Sequence, residues 1–197
     1  MVETRSTMLE LGTPAPDFTL SSADGKPYSL ADQSVDRGLL IVFICNHCPY
    51  VLHIASRLTE KIRGYQEKGI SVVAINSNDY SAYPDDSPEK MTTLAASFRF
   101  TFPYLVDEQQ EVAKRYQAAC TPDFFLFDQD RKLIYRGQFD NARPGKNDPV
   151  TGEDLTAAVE ALLARKPVAS EQKPSMGCNI KWKPGNEPNY FNAPQSG

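Results

Sequence analysis

Two nearly continuous apolar runs rich in β-formers, residues 38–45 (GLLIVFIC) and 70–76 (ISVVAIN), interrupt an otherwise mixed chain. Runs of this kind predict strands covered on both faces. Between them the period changes. Val51, Ile54, Leu58, Ile62 and Tyr65 recur at three- and four-residue steps, while His53, Arg57, Glu60 and Lys61 fall elsewhere. That spacing predicts an amphipathic helix that follows Pro49 and ends near Gly69, and strand, helix, strand over this length predicts a βαβ unit.

Upstream, residues 16–32 read as two short extended pieces around the turn signal Asp24-Gly25, a hairpin. Downstream, a polar loop leads to Ser87-Pro88-Glu89, which predicts a cap and first turn. A helix, a short strand at 102–107, a helix at 108–118 and two strands joined across Asp128 to Arg131 follow. Thr151-Gly152-Glu153-Asp154 predicts a capping box for a last helix ending near Arg165. The sum is an α/β domain with a mixed central sheet flanked by helices, over residues 8–166. Residues 167–197 show no periodicity and hold four prolines beyond Pro167. They predict an irregular C-terminal tail, either packed on the domain or disordered.

Composition narrows the function. At 197 residues with 41% hydrophobic residues the chain can bury a core without disulfides. A net charge of −4 and no Lys/Arg stripe argue against a nucleic-acid partner. No run reaches the ~18 apolar residues of a spanning helix, and no apolar leader follows the first residues, so the expectation is a cytoplasmic protein with no membrane partner. Four cysteines are too few for a disulfide scaffold and need explaining one by one.

Cys45 and Cys48 lie three positions apart where a buried strand meets a helix, with His47 between them and Pro49 behind. Unpaired amides and the helix dipole favour a thiolate there, expected on Cys45 at an exposed tip with Cys48 one turn inward. A protonated His47 would favour it further and make the disulfide a stronger oxidant. Three readings stay open: a redox dithiol, a soft-metal site completed by Cys120, Cys178 or His47, and a pair of core thiols in a non-catalytic binding module. No second Cys-x-x-Cys accompanies the first and His53 is the only other histidine, so no metal and no cofactor is expected.

The blocks GTPAPDFTL, LIVFICNHCPYV and FPYLVDEQQEVAKRYQAACTPDFFLFDQDRKLIYRG resemble the thioredoxin superfamily. Within it they resemble the redoxin group that joins the AhpC/TSA family to TlpA/ResA-type oxidoreductases. The resemblance implies a thioredoxin-like fold with Pro122 in the cis form, Thr121-Pro122 facing Cys45 and Cys48, and substrate docking there as an added strand. It implies a thiol–disulfide oxidoreductase in which Cys45 attacks and Cys48 resolves. The substrate would be a disulfide-bearing protein, or a small thiol or peroxide, with a thiol reductant as electron partner. The peroxiredoxin pattern Pro-x-x-x-Thr-x-x-Cys has Gly38 and Val42 at its first two places here, so thiol peroxidase is the alternative. The tryptophan common before such pairs is Ile44, while His47 is similar to its counterpart in strongly oxidising DsbA-type proteins. Cys120 and Cys178 are candidate accessory thiols, Asp107 and Glu108 candidate proton acceptors, and Arg136 and Arg143 candidate partners for an anion.

Overall fold

The computed structural model describes residues 3–192. In chain order the strands and helices are β1 (Glu3–Arg5), β2 (Thr19–Ser22), β3 (Pro27–Ser29), β4 (Gly38–Phe43), α1 (Pro49–Glu67), β5 (Ile70–Asn76), α2 (Pro88–Ser97), β6 (Tyr104–Val106), α3 (Glu111–Tyr116), β7 (Cys120–Thr121), β8 (Asp123–Phe127), β9 (Leu133–Gly137), α4 (Glu153–Leu163) and β10 (Met176–Asn179). The main sheet runs β3-β2-β6-β5-β4-β8-β9, parallel at β4–β5–β6 and antiparallel elsewhere. No helix of the described residues is long and apolar enough to cross a membrane.

The two apolar runs form the centre. Every residue of β4 is buried, and alternate residues serve opposite faces. Leu40 and Val42 join Val72, Ala74, Phe124 and Leu126 against the buried stripe of α1 and against Leu155 and Val159 of α4. Leu39, Ile41 and Phe43 join Val73, Ile75, Phe125 and Phe127 against Val112 and Tyr116 of α3. The expected hairpin is β2–β3, closed by a three-residue loop with Gly25 at φ +83° and Ser22 N–H donating to Lys26 O over 2.8 Å.

Some local expectations shift. The helix expected over 108–118 is only α3, because Gln110 and Gln117 take left-handed conformations at its two ends. The capping box at Thr151 does not form. Gly152 is the N-cap, and the Asp140 carboxylate instead accepts the amides of Thr151 and Gly152 over 2.7 and 2.6 Å. The Phe139 ring selects glycine there: a Cβ on Gly152 would lie 2.4 Å from it.

The tail packs on the domain and is irregular over most of its length. Within it lies a strand that the pattern does not predict, β10, between β1 and β7 in a second, three-stranded sheet. Beyond β10, Ile180 and Trp182 enter the α3-side core. Gln110 Nε2 donates to Lys181 O over 2.9 Å, and Lys181 N–H donates to Asn78 Oδ1 over 2.9 Å. Burying a side chain such as Ile180 contributes about 1.5–3 kcal/mol, which offsets the ordering of only one or two residues, so Trp182, Cys178 and the strand pairing are needed as well.

Candidate active site

The helix after the first cysteine begins at Pro49, three residues later than the start near Asn46 that would set Cys45 at its tip. A proline disfavours helical conformation in the residue before it, and Cys48 accordingly is extended, at φ −74° and ψ 120°. Cys48 is therefore the N-cap, and Cys45 sits in the turn leaving β4. Neither is an exposed tip: Cys45 and Cys48 are 1% and 0% accessible.

Both sulfurs meet at one residue of β7. Cys45 Sγ lies 3.3 Å from Thr121 Oγ1, and the Cys48 thiol donates to Thr121 O over 3.1 Å. The Thr121–Pro122 peptide is cis, as the resemblance implies. The main sheet sets this arrangement, since β8, which follows Pro122, pairs with β4, which precedes Cys45.

His47 pairs with an acid that sequence reading missed. Its Nδ1 is 2.7 Å from Asp86 Oδ2, and its ring stacks on Tyr83 at 5.7 Å. Asp86 also accepts Asn46 N–H over 2.7 Å and Asn78 Nδ2 over 2.8 Å. Burial works against its charge, yet His47 and these donors outweigh burial and hold the carboxyl below its usual range. The same ion pair raises His47 above the ordinary imidazole value, against a smaller opposing effect of burial. Tyr104 closes the side nearest Cys45, donating to Asn46 Oδ1 over 3.0 Å. Asp86, Tyr83 and Asn78 come from the loop after β5, whose sequence reads only as polar and turn-rich.

The surroundings act in opposite directions on the two thiols. A hydrogen bond to Cys48, burial and the Asp86 carboxylate push the Cys45 thiol well up. Cys48, accepting from the Cys178 and Cys45 thiols and favoured by the Val51 amide, is pulled down despite burial. The hydrogen bond from Cys48 to Thr121 O belongs to the form in which Cys48 keeps its proton.

The remaining candidates scatter. Cys178 reaches the pair through β10. Cys120 is fully buried, its thiol directed at Pro122 O over 3.7 Å, and burial raises it well above a normal thiol. Asp107 does not serve the sulfurs: its carboxylate accepts Ser77 Oγ and the first amides of α3. Glu108 is exposed. Arg136 ties down Leu9 O and Gln172 Oε1 over 2.8 and 2.7 Å. Arg143 lines a small cavity beside Pro122, Tyr50 and Met176. As for metals, donor atoms of Cys45, His47 and Asp86 lie within 4.8 Å of one another, a mixed set that zinc accepts. An ion there would have to displace the His47–Asp86 contact.

A mixed sheet that brings two cysteines at a strand–helix junction against a cis-proline turn defines a thioredoxin-like protein. The AhpC/TSA family matches residues 11–136, and the chain belongs to that family. Thiol-disulfide oxidoreductase ResA of Geobacillus thermodenitrificans is 29% identical over 130 residues, 66% of this chain and 70% of its own. A Mycobacterium tuberculosis protein that carries a peroxiredoxin name is 31% identical over 143 residues, 66% of this chain and 86% of its own. The crystal structure of a conserved protein from Geobacillus kaustophilus superposes with a TM-score of 0.91 at 52% identity, covering 94% of this chain and 98% of that one.

Proposed function

We propose that this protein is a thiol–disulfide oxidoreductase whose working couple is Cys45–Cys48. One observation carries the reading: Thr121 holds a hydroxyl against one sulfur and a carbonyl against the other. Thr121 suits the form of the pair that attacks. With the proton on Cys48, that thiol donates to Thr121 O, while Thr121 Oγ1–H stabilises a Cys45 thiolate. Cys45 then attacks one sulfur of a substrate disulfide, the other sulfur leaves as a thiolate, and a mixed disulfide forms. Cys48 gives up its proton and displaces the substrate from Cys45, leaving a Cys45–Cys48 disulfide and a reduced substrate. A thiol reductant resets the couple. His47, held by Asp86, supplies positive charge beside the pair, and Thr121-Pro122 is the docking edge.

Cys48→Ser should accumulate a covalent adduct through Cys45 when mixed with a disulfide substrate, seen as a mass increase. Trapping by Cys45→Ser alone would reverse the assignment. Peroxide reduction is the second reading, favoured by the Mycobacterium tuberculosis relative's name and by a hydroxyl near Cys45 that Val42 does not supply. In that case hydrogen peroxide consumption with dithiothreitol would keep pace with disulfide reduction; on the exchange reading it falls far behind.

A further inference from the structure

We propose that Cys178 is a third redox thiol of this site, delivered by β10, and that Cys48 exchanges its disulfide partner between Cys45 and Cys178. The inference rests on the Cys45–Cys48 reading above and adds a residue and a state to it.

The placement is built, not incidental. β10 pairs antiparallel with β7, setting Cys178 opposite Thr121, the residue both active-site sulfurs touch. Cys178 shares the apolar cluster of Cys48, and the two thiols are near enough to shift each other's ionisation. Gly177, just before it, presses on the cis-proline turn so closely that a Cβ would stand 2.0 Å from Thr121 O. The strand is fixed on both sides. Upstream, Ser6 and Ser175 exchange hydrogen bonds of 3.0 Å; downstream, Lys181, Ile180 and Trp182 are anchored as described. On its other edge β10 pairs with β1, with Glu3 opposite Cys178. Cys48 is thus flanked by two thiols, Cys45 within its own turn and Cys178 from a segment 130 positions along the chain.

The chemistry balances without a further oxidant. Starting from the Cys45–Cys48 disulfide left by one turnover, Cys178 loses its proton and attacks Cys48 Sγ. The Cys45–Cys48 bond breaks, the Cys48–Cys178 bond forms, and Cys45 departs as a thiolate that takes up a proton. One disulfide is consumed and one is made, so no net oxidation occurs. β10 lies along the β7 edge at which a substrate strand would pair, so a Cys48–Cys178 bond locks that edge shut. In the Cys45–Cys48 form β10 is held there only by non-covalent contacts. The tail is then a covalent latch set by the oxidation state of the site itself.

Full-length Cys45→Ser, equilibrated in oxidised and reduced glutathione, alkylated and mapped by mass spectrometry, tests this. The expected product is a Cys48–Cys178 disulfide that titrates reversibly, with Cys120 alkylated. Wild-type protein gives a second readout free of any substitution: about one oxidised molecule in ten or more should carry Cys48–Cys178 with Cys45 alkylated. A Cys45→Ser protein that shows only glutathionylated Cys48 or a Cys48–Cys120 bond, together with wild type lacking Cys48–Cys178, overturns the proposal. Cys178→Ser separates the two levels of the argument. If it forms Cys45–Cys48 while Cys45→Ser forms nothing, the third thiol fails and the dithiol stands; if neither variant forms a bond, both fall.

Discussion

Asp123 follows the cis proline into the core with no accessible surface, opposite Phe43. Burial lifts its carboxyl to about 8, only partly offset by the nearby Ser175 hydroxyl and the Ala119 and Phe124 amides, none of which makes a well-formed hydrogen bond to it. The sign follows from linkage. From about pH 4, where the unfolded carboxyl ionises, to about pH 8, the folded protein holds a proton the unfolded chain has lost. This group's stabilising contribution is full at the acid end and falls by about 1.4 kcal/mol per pH unit as pH rises through that window. Asp123→Asn should flatten the profile. Urea unfolding at a series of pH values would check it, and a variant whose stability runs parallel to wild type would remove Asp123 as the cause. Sequence alone displayed the cysteines, His47 and Thr121-Pro122, because spacing and family pattern mark them. Asp86 was illegible as a site residue and Asp123 as a buried acid, since an aspartate's burial and surroundings are set by tertiary packing.

At the level of elements, the long periodic ones were legible and their ends were not. The six buried positions of β4 and the stripe of α1 follow from residue pattern. The start of α1 needed the rule that proline restrains its predecessor, which moved Cys48 from the first turn to the cap. β10 was unreadable for a different reason. Its four residues, Met-Gly-Cys-Asn, have no strand pattern of their own and become a strand only because β1 and β7 offer edges on both sides. Gly177→Ala should therefore act through β10 alone. The added methyl meets backbone rather than a movable side chain, so the strand must lift. Alkylation of Cys45 and Cys48 by iodoacetamide should speed up by tenfold or more, equivalent to about 1.4 kcal/mol of tail docking. An unchanged rate would mean that β10 does not guard the sulfurs.

Over the whole molecule, the tail touches both sides of the sheet. Cys178 belongs to the core beneath α1, while Ile180 and Trp182 belong to the core beside α3. Removing residues 167–197 should therefore cost stability as well as site cover, by about 2–5 kcal/mol, the range for emptying large apolar positions. Calorimetry would read this as a lowered Tm, and an unaltered Tm would show residues 8–166 to be self-sufficient. Thioredoxin-like architecture and mixed sheet could be anticipated from alternation of strand and helix patterns, whereas the second sheet could not, because it joins the two ends of the chain. Trp182 is the sole tryptophan and packs 6.4 Å from Tyr190 within that returning segment. The protein's indole emission thus arises from the latch alone, so its position in time can be followed optically, with no label attached.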